Sequence, residues 1–293
     1  MTLTRRDVQD MIAARDLRPS RALGQNFVAD PNTVRRIARL ADLAPGQRVV
    51  EIGAGLGALT VALAETGATV TAVEVDRHLM AVLRAQVEGH GVRVVQADAL
   101  TLDWAELLDA ENDATGASAA GARDAASSWT LVANLPYNVA VPVIMRVLDD
   151  APAVTSMLVM VQREVGERLA AVPGTKAYGA VSVKVAYHAT ARVVGRVPPA
   201  VFVPRPRVES VLVRLSRRDE VAVDPAEVAP DRLFSVVRAG FAHRRKMLRR
   251  ALADVIDPDA FAAAAIDPEA RAEELSIEDW GRLVACGGTR DRG

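Results

Sequence analysis

The feature that most constrains this chain is a regular alternation of short, valine-rich runs with helical patterns. Strands that alternate with helices in this way form a mostly parallel sheet covered on both faces. The sequence therefore predicts a doubly wound, Rossmann-like α/β sheet. The predicted strands are RVVEIGAG (48–55), TVTAVEVD (69–76), VRVVQAD (92–98), WTLVANLPY (129–137), SMLVMVQ (156–162) and ESVLVRLS (209–216).

The pattern divides the chain into three parts. Residues 1–20 form a polar, amphipathic lead segment, residues 21–218 the sheet domain, and residues 219–293 a small helical domain. Within the sheet domain, residues 109–128 are rich in Ala, Gly, Ser and Asp and lack apolar periodicity, which predicts a flexible surface insertion. The sequence does not decide between helix and strand for the segment AYGAVSVKVAYHA (177–189).

Composition excludes several classes of protein. No apolar run approaches the ~20 residues that span a bilayer, and the N-terminal segment lacks the apolar core of a secretory signal. Cys286 is the only cysteine, which excludes an internal disulfide and a multi-cysteine metal site. We therefore expect a soluble cytoplasmic protein with no bound metal and no membrane association.

A glycine-rich turn and two acidic residues follow the first three predicted strands. Gly53 and Gly55 allow the backbone to turn tightly and to approach a ligand closely. Glu74 ends the second strand, about 20 residues further on, where a carboxylate can bind both hydroxyls of a ribose. Asp98 ends the third strand, in reach of an adenine amino group. The set predicts an adenosine-containing cofactor, either S-adenosylmethionine or NAD.

The fourth predicted strand ends in Asn134-Leu135-Pro136-Tyr137, a poor core segment but a suitable pocket for a flat polar ring. The Asn134 side-chain carbonyl and the Leu135 backbone carbonyl can accept hydrogen bonds from an exocyclic amine, which localises its lone pair on nitrogen. Tyr137 offers a face for stacking. Phe202, in a proline-rich loop before the last strand, is predicted as the second ring.

Basic side chains concentrate in the string RAGFAHRRKMLRRAL, although the net charge of the chain is only −1. In a helix from Arg238 to Arg250, the pairs Arg245/Arg249 and Lys246/Arg250 share one face, which predicts a surface for phosphates. The low net charge predicts weak binding to naked RNA and reliance on a partner of defined shape. A further basic group lies near the N-terminus and comprises Arg15, Arg18 and Arg21.

A series of motifs follows one order along the chain: LGQNFV (23–28), EIGAGLGALT, VEVD (73–76), QADAL (96–100), NLPYNV (134–139), QREV (162–165), KAYGAVSV (176–183), FVPRPRVES (202–210) and AGFAHRRKMLRRAL (239–252). In these motifs the chain resembles the ribosomal RNA adenine dimethyltransferase family, most closely its small-subunit (16S) branch. The resemblance covers nearly all of the chain except the lead segment and the 109–128 insertion.

The resemblance implies a methyltransferase that uses S-adenosylmethionine to dimethylate N6 of two adjacent adenosines in a hairpin near the 3′ end of 16S rRNA. It also implies a pre-30S particle as substrate and a monomeric enzyme. The family's cofactor contacts fall on Asn26, Val28, Gly53, Glu74, Asp98 and Asn134, with Gln25 and Asn26 closing over the methionine end. Its base-stacking positions fall on Tyr137 and Phe202, and its RNA contacts on Arg244, Arg245, Lys246 and Arg249.

Three alternatives remain open at the level of sequence. The first is a related methyltransferase acting on 23S rRNA, whose motif tends to have isoleucine before the proline, where this chain has Leu135. The second is a non-catalytic nucleic-acid-binding factor, which the intact Gly53, Glu74, Asp98 and Asn134 set disfavours. The third is a dehydrogenase.

Overall fold

The computed structural model describes residues 3–14, 17, 19–20, 23–115 and 128–287, with only the backbone of 110–115. The chain forms two compact units. The first comprises Met1–Gly166 and Val193–Ser216, and the second Glu167–Arg192 and Arg217–Gly293. The division differs from the predicted boundary near residue 218, because residues 167–192 belong with the C-terminal helices. Tyr178 and Tyr187, within that segment, are buried in the core of the second unit.

A seven-stranded sheet confirms the predicted α/β class, with strand order β4–β3–β2–β5–β6–β9–β7. The central strands pair in parallel, and β9 runs antiparallel to β6. A separate pair of two-residue strands, β1 and β8, is antiparallel. In chain order the strands are β1 (Phe27–Val28), β2 (Arg48–Ile52), β3 (Thr69–Glu74), β4 (Arg93–Gln96), β5 (Trp129–Asn134), β6 (Val154–Gln162), β7 (Ala189–Val197), β8 (Phe202–Val203) and β9 (Ser210–Arg217).

Helices precede and separate the strands. In the first part of the chain they are α1 (Arg5–Ala14), α2 (Pro31–Ala41), α3 (Ala58–Ala64), α4 (Met80–Gln86), α5 (Trp104–Thr115), α6 (Ala140–Asp150) and α7 (Arg163–Leu169). Helix α2 shows how local sequence sets a helix start, because the Asp30 side chain accepts a hydrogen bond from Thr33 N and Pro31 occupies the first turn. Strand β2, which contains Val49 and Val50, is buried along its whole length and lies between β3 and β5.

The lead segment is more structured than predicted. Helix α1 is formed within it, and its Val8 is fully buried in a cluster with Leu56 and Val82. The amphipathic pattern of residues 1–20 therefore belongs to a helix packed against the first unit. The basic group near the N-terminus lies outside the described residues: Arg15, Arg18 and Arg21.

The predicted insertion begins later than residue 109. Helix α5 continues to Thr115, because the Ala, Glu and Asp residues that precede Gly116 are compatible with a helix. Residues 116–127 of the predicted insertion lie outside the described part of the chain.

The second unit is helical around a core of large side chains. The ambiguous segment 177–189 resolves as a helix, and its tyrosine Tyr187 packs against Phe234 edge to face. In the described part of the chain, no helix is long and apolar enough to span a membrane. The helices are α8 (Ala180–His188), α9 (Pro230–Ala242), α10 (Leu248–Ala251), α11 (Pro258–Ala263) and α12 (Ile277–Cys286).

Candidate active site

One cleft collects the carboxyl ends of the central strands β2, β3 and β5. The parallel register pairs Ile52 with both Val73 and Ala133, so the residues that follow these strands lie at the same edge. Most of the site residues predicted at the ends of these three strands therefore lie close together, although they are far apart in sequence. The cleft is lined by Leu23, Gly24, Gln25, Asn26, Phe27, Gly53, Gly55, Glu74, Val75, Leu79, Asn134, Leu135, Pro136 and Tyr137.

The glycine turn needs its glycines for backbone reasons. Gly53 and Gly55 have φ angles of 72° and 59°, in the left-handed region that other residues rarely adopt. A Cβ on Gly55 would also lie 3.1 Å from the ring of Phe27. The turn thus leaves a smooth backbone surface at the floor of the cleft.

Glu74 is held by backbone groups at the end of β3. Its Oε2 accepts a hydrogen bond from Gly55 N at 2.8 Å, and its Oε1 accepts one from Asp76 N at 2.9 Å. Burial raises the pKa of Glu74, while these two hydrogen bonds favour the carboxylate. Each oxygen keeps acceptor capacity for a further donor such as a ribose hydroxyl.

Gln25 uses both ends of its amide within the protein. Its Nε2 donates to Asp76 Oδ2 at 2.8 Å, and its Oε1 accepts from Ser20 N at 2.7 Å. The side chain therefore links Ser20 to Asp76, whose backbone N–H donates to Glu74. Gln25 also lines the cleft, and its predicted place over the methionine end of a cofactor stays a prediction.

Asn134 is oriented by the neighbouring loop. Its Nδ2 donates a hydrogen bond of 2.9 Å to the backbone carbonyl of Asn26. With the amino group occupied, Oδ1 is the end of the amide that remains available, and within the described residues it accepts no hydrogen bond. Asn26 in turn donates from Nδ2 to Gly24 O at 3.0 Å, which stiffens the same loop.

Tyr137 follows on the turn after β5. Val139 N donates to Pro136 O at 3.1 Å, which closes this turn, and Leu135 N donates to Met160 O at the same distance. The Tyr137 hydroxyl lies 2.7 Å from the Oγ of Ser210, and burial raises its pKa. The ring is thereby held at the edge of the cleft.

The structure does not place Phe202 at the cleft, contrary to its predicted role as a second stacking ring. Phe202 is fully buried in a core cluster with Val34 and Leu212. The reason is its pairing in β8 opposite Val28, which directs the side chain into the core. Val28 is also buried, and the aromatic ring that lines the cleft is Phe27, which the sequence analysis missed despite its position inside LGQNFV.

Asp98 lies beside a separate, apolar pocket. This pocket shares Gly53, Val75, Leu135 and Pro136 with the main cleft, and its other walls are Ile52, Val73, Ala97, Ala99, Val139 and Val143. The Oδ1 of Asp98 accepts a hydrogen bond from Leu100 N at 2.9 Å. An apolar pocket whose lining includes one acidic residue suits a purine ring.

Glu51 is a residue of the site that the motifs did not single out. It lies within β2, is 2% exposed, and lines a small cavity with Gly53, Gly55 and Asn134. Burial raises the pKa of Glu51 to about 8; Thr60 opposes this increase, and the Glu74 carboxylate adds a smaller one. The signal in the sequence was a charged residue inside an otherwise apolar run.

The basic segment in the second unit differs from the predicted helix. Helix α9 ends at Ala242 and α10 begins only at Leu248, so the intervening residues form a turn and the i, i+4 face does not exist. Arg244 donates to Glu273 Oε2 at 2.5 Å and to the carbonyl of Lys176 at 2.6 Å.

The remaining basic side chains of this turn divide into two kinds. Arg249 pairs with Glu269 at 2.9 Å, at the surface. Arg245 and Lys246 are exposed, and no described residue forms an ion pair with either. Of the four predicted RNA contacts, Arg244 and Arg249 thus form ion pairs, whereas Arg245 and Lys246 pair with no described residue.

The comparisons with known proteins decide the family. Residues 18–286 match the family profile described as ribosomal RNA adenine dimethylase. The chain belongs to this family. It is 45% identical to the ribosomal RNA small subunit methyltransferase A of Kineococcus radiotolerans, over 99% of this chain and 94% of that protein. It is also 45% identical to the protein of that name from Thermobifida fusca, over 96% and 95%.

Solved structures agree with this assignment. The 23S rRNA methyltransferase ErmE superposes with a TM-score of 0.65 and 26% identity, covering 89% of this chain and 98% of that one. A dimethyladenosine transferase from Plasmodium falciparum has the same fold, with a TM-score of 0.68, 21% identity, and 87% and 94% coverage. The chain is thus an S-adenosylmethionine-dependent RNA adenine methyltransferase, and the dehydrogenase and non-catalytic alternatives fall away.

Proposed function

We propose that this protein dimethylates N6 of two adjacent adenosines near the 3′ end of 16S rRNA, within an assembling small subunit in the bacterial cytoplasm. Relatives named for the small subunit, at 45% identity over nearly the full length, support the choice of 16S rRNA. The observation that carries the chemistry is the orientation of Asn134, whose Oδ1 is left as an acceptor in the cleft. We further propose that the enzyme acts as a monomer.

The residues of the cleft fit the methyl donor. Glu74 retains acceptor capacity for ribose hydroxyls, and the slot beside Asp98 accommodates a purine. Gly53 and Gly55 form a floor without side chains, which permits the bound donor to approach the backbone closely. When bound, S-adenosylmethionine supplies a methyl carbon activated by a sulfonium.

Catalysis then consists of preparing the target amine. The lone pair of an adenine N6 is delocalised into the ring, which makes the nitrogen a poor nucleophile. In the first transfer, Asn134 Oδ1 and the carbonyl of Leu135 each accept one amine hydrogen, and in the second transfer one of them accepts the hydrogen that is left. These bonds favour a pyramidal nitrogen with a localised lone pair. With the donor bound, its methyl carbon would accept this lone pair, the sulfur would leave as a thioether, and the proton released from nitrogen would pass to solvent. Positioning contributes most of the barrier reduction.

Recognition of the target base is assigned to Tyr137. Stacking of a base on an aromatic ring contributes about 1–3 kcal/mol. The bond to Ser210 holds the ring in one orientation, so the flipped adenine meets a preformed surface. Phe27 is the second aromatic side chain of the cleft.

Binding of the ribosomal particle is assigned in part to Arg245 and Lys246. Both are exposed and carry no ion pair within the described residues, so they can neutralise phosphates without first breaking a bond. Arg244 and Arg249, although predicted as RNA contacts, would each have to exchange a carboxylate partner for a phosphate.

The proposal is tested by methyl transfer in vitro with labelled S-adenosylmethionine. Small-subunit and large-subunit precursor particles from cells lacking the enzyme are offered in parallel, with the Asn134→Ala variant as a control. We expect dimethyladenosine, detected by mass spectrometry, at two adjacent positions of 16S rRNA with the wild type only. Label confined to 23S rRNA would instead establish the large-subunit alternative, to which the fold of ErmE is related.

A further inference from the structure

Helix α1 lies outside the span 18–286 that matches the family profile, yet it packs directly against the site. Its fully buried Val8 joins a cluster that includes Leu3, Ala29 and Leu56. Because Leu56 follows the glycine turn, α1 contacts the element that forms the floor of the cleft. The helix is therefore positioned as a wall of the site.

A charged residue fastens this helix. The guanidinium of Arg5 donates hydrogen bonds to the carbonyl oxygens of Ala200 and Phe202, the latter at 3.1 Å. The receiving loop begins at Pro198 and Pro199, which lack N–H groups and restrict the backbone. Hydrogen bonds from a charged donor are stronger than neutral ones. Arg5 thus pins α1 to β8, the strand that pairs with the LGQNFV segment.

Val8 also closes a small cavity at one end of the cleft. The cavity is lined on its other sides by Phe27, Val28, Glu51, Gly53, Ala54, Gly55, Leu56, Ala58, Leu59 and Asn134. Oε2 of Glu51 is buried there without a hydrogen-bond partner. An unpartnered buried carboxyl oxygen is unfavourable, and a hydrogen-bond donor such as an ammonium would satisfy it. The amino-acid end of the methyl donor carries an ammonium, whereas its purine end suits the slot beside Asp98, whose lining contains no α1 residue.

We propose that α1 completes a subsite for the amino-acid end of the methyl donor, with Val8 as its apolar wall and Arg5 as the positioning residue that holds the helix there. The inference rests on the proposed S-adenosylmethionine-dependent function. It assigns a role in donor binding to a helix that precedes the part of the chain matched by the family profile.

The test compares two ligands by titration calorimetry. S-adenosylhomocysteine contains the amino-acid end, whereas methylthioadenosine has the same nucleoside without it. In Arg5→Ala we expect the Kd of S-adenosylhomocysteine to rise about tenfold, as for loss of a charge-assisted hydrogen bond, while that of methylthioadenosine stays within about twofold. Val8→Ala, which enlarges the cavity but leaves Arg5 in place, should show the same difference between ligands.

Arg6→Ala is the matched control. Arg6 lies on the same helix, but among the described residues it pairs only with Asp10, at 3.7 Å, and both side chains are largely exposed at 90% and 72%. Both Kd values should equal those of the wild type. Equal weakening of the two ligands in Arg5→Ala, or no weakening, would show that α1 only supports the fold and would overturn the inference. A wild-type chain that binds neither ligand would overturn the proposed function itself.

Discussion

The side-chain amide of Asn134 is anchored by the backbone carbonyl of Asn26, over a hydrogen bond of 2.9 Å. The two residues are 108 positions apart in sequence. The anchor determines which end of the amide faces the cleft. Because Asn134 Nδ2 is bonded to Asn26, Asn134 Oδ1 remains available as an acceptor. The LGQNFV segment thus has a part in orienting the residue that activates the target amine.

The anchor can be tested with an isosteric change. Asn134→Asp has no N–H to donate to Asn26, so the side chain loses its orientation and faces the carbonyl with a negative charge. We expect kcat for the small-subunit substrate to fall about 10²-fold or more, similar to loss of one preorganised hydrogen bond in a transition state. Asn32→Asp, at the surface of α2, is the control and should retain full activity. Normal kcat in Asn134→Asp would contradict the assigned role.

A second prediction concerns the bond between Gln25 and Asp76. Gln25→Met keeps the length of the side chain but removes both hydrogen bonds, so the loop next to Glu74 should loosen. We expect Gln25→Met to raise the Kd of S-adenosylmethionine about fivefold. Adding Asp76→Ala to this variant should raise the Kd by less than Asp76→Ala does in the wild type, because the two residues are in contact. Gln96→Met, at an exposed position of β4, is the control. Full additivity of the two variants would rule out the coupling.

A third prediction separates the stacking face of Tyr137 from its hydroxyl. Tyr137→Phe keeps the ring and loses the bond to Ser210, and we expect kcat/KM to fall only a few-fold. Tyr137→Ala removes the face for the base, worth about 1–3 kcal/mol, so kcat/KM should fall roughly tenfold to a hundredfold. Steady-state assays on the small-subunit particle distinguish the two. Equal effects of the two variants would show that the hydroxyl, and not the ring, is what matters.

The fourth prediction is a pH dependence of stability caused by Glu51. Its carboxyl has a pKa of about 8 in the fold, against an ordinary value of 4.5, so the folded state binds an extra proton between these values. The free energy of unfolding of the cofactor-free protein should therefore decrease as pH rises from 4.5 to 8, by up to about 1.4 kcal/mol per pH unit, and level off above pH 8. Urea unfolding at several pH values measures this. Glu51→Gln should remove that decrease, and an unchanged profile in the variant would assign it to other groups.

The fifth prediction distinguishes free from engaged cations in the basic turn. The double variant Arg245→Ala/Lys246→Ala should weaken binding to the particle and lower the slope of log K against log salt by roughly 1.5, since each phosphate contact contributes about 0.7–0.9. Arg244→Ala, which breaks a partly exposed ion pair with Glu273, should instead lower the free energy of unfolding by about 1 kcal/mol or less. An identical salt slope in the double variant would remove these side chains from the interface.

The periodicity of the sequence was sufficient to predict most of the first unit. Valine-rich runs separated by helical patterns specify parallel strands locally, and all the predicted strands are present. The glycine turn, Glu74 and Asn134 could be placed at one edge because the carboxyl ends of parallel strands coincide. The basic segment was harder, since α9 ends at Ala242 although no proline or glycine marks that end in the sequence.

The sequence by itself therefore determined the order of strands and helices and the chemical character of the residues at the strand ends. Both properties depend on neighbours along the chain. Only the tertiary structure decided which side chains reach the cleft. Phe202 and Phe27 lie on short strands of the same two-stranded sheet, yet one ring enters the core and the other lines the cleft. Pairing between residues as distant in sequence as Val28 and Phe202 sets that direction, and no local pattern encodes it.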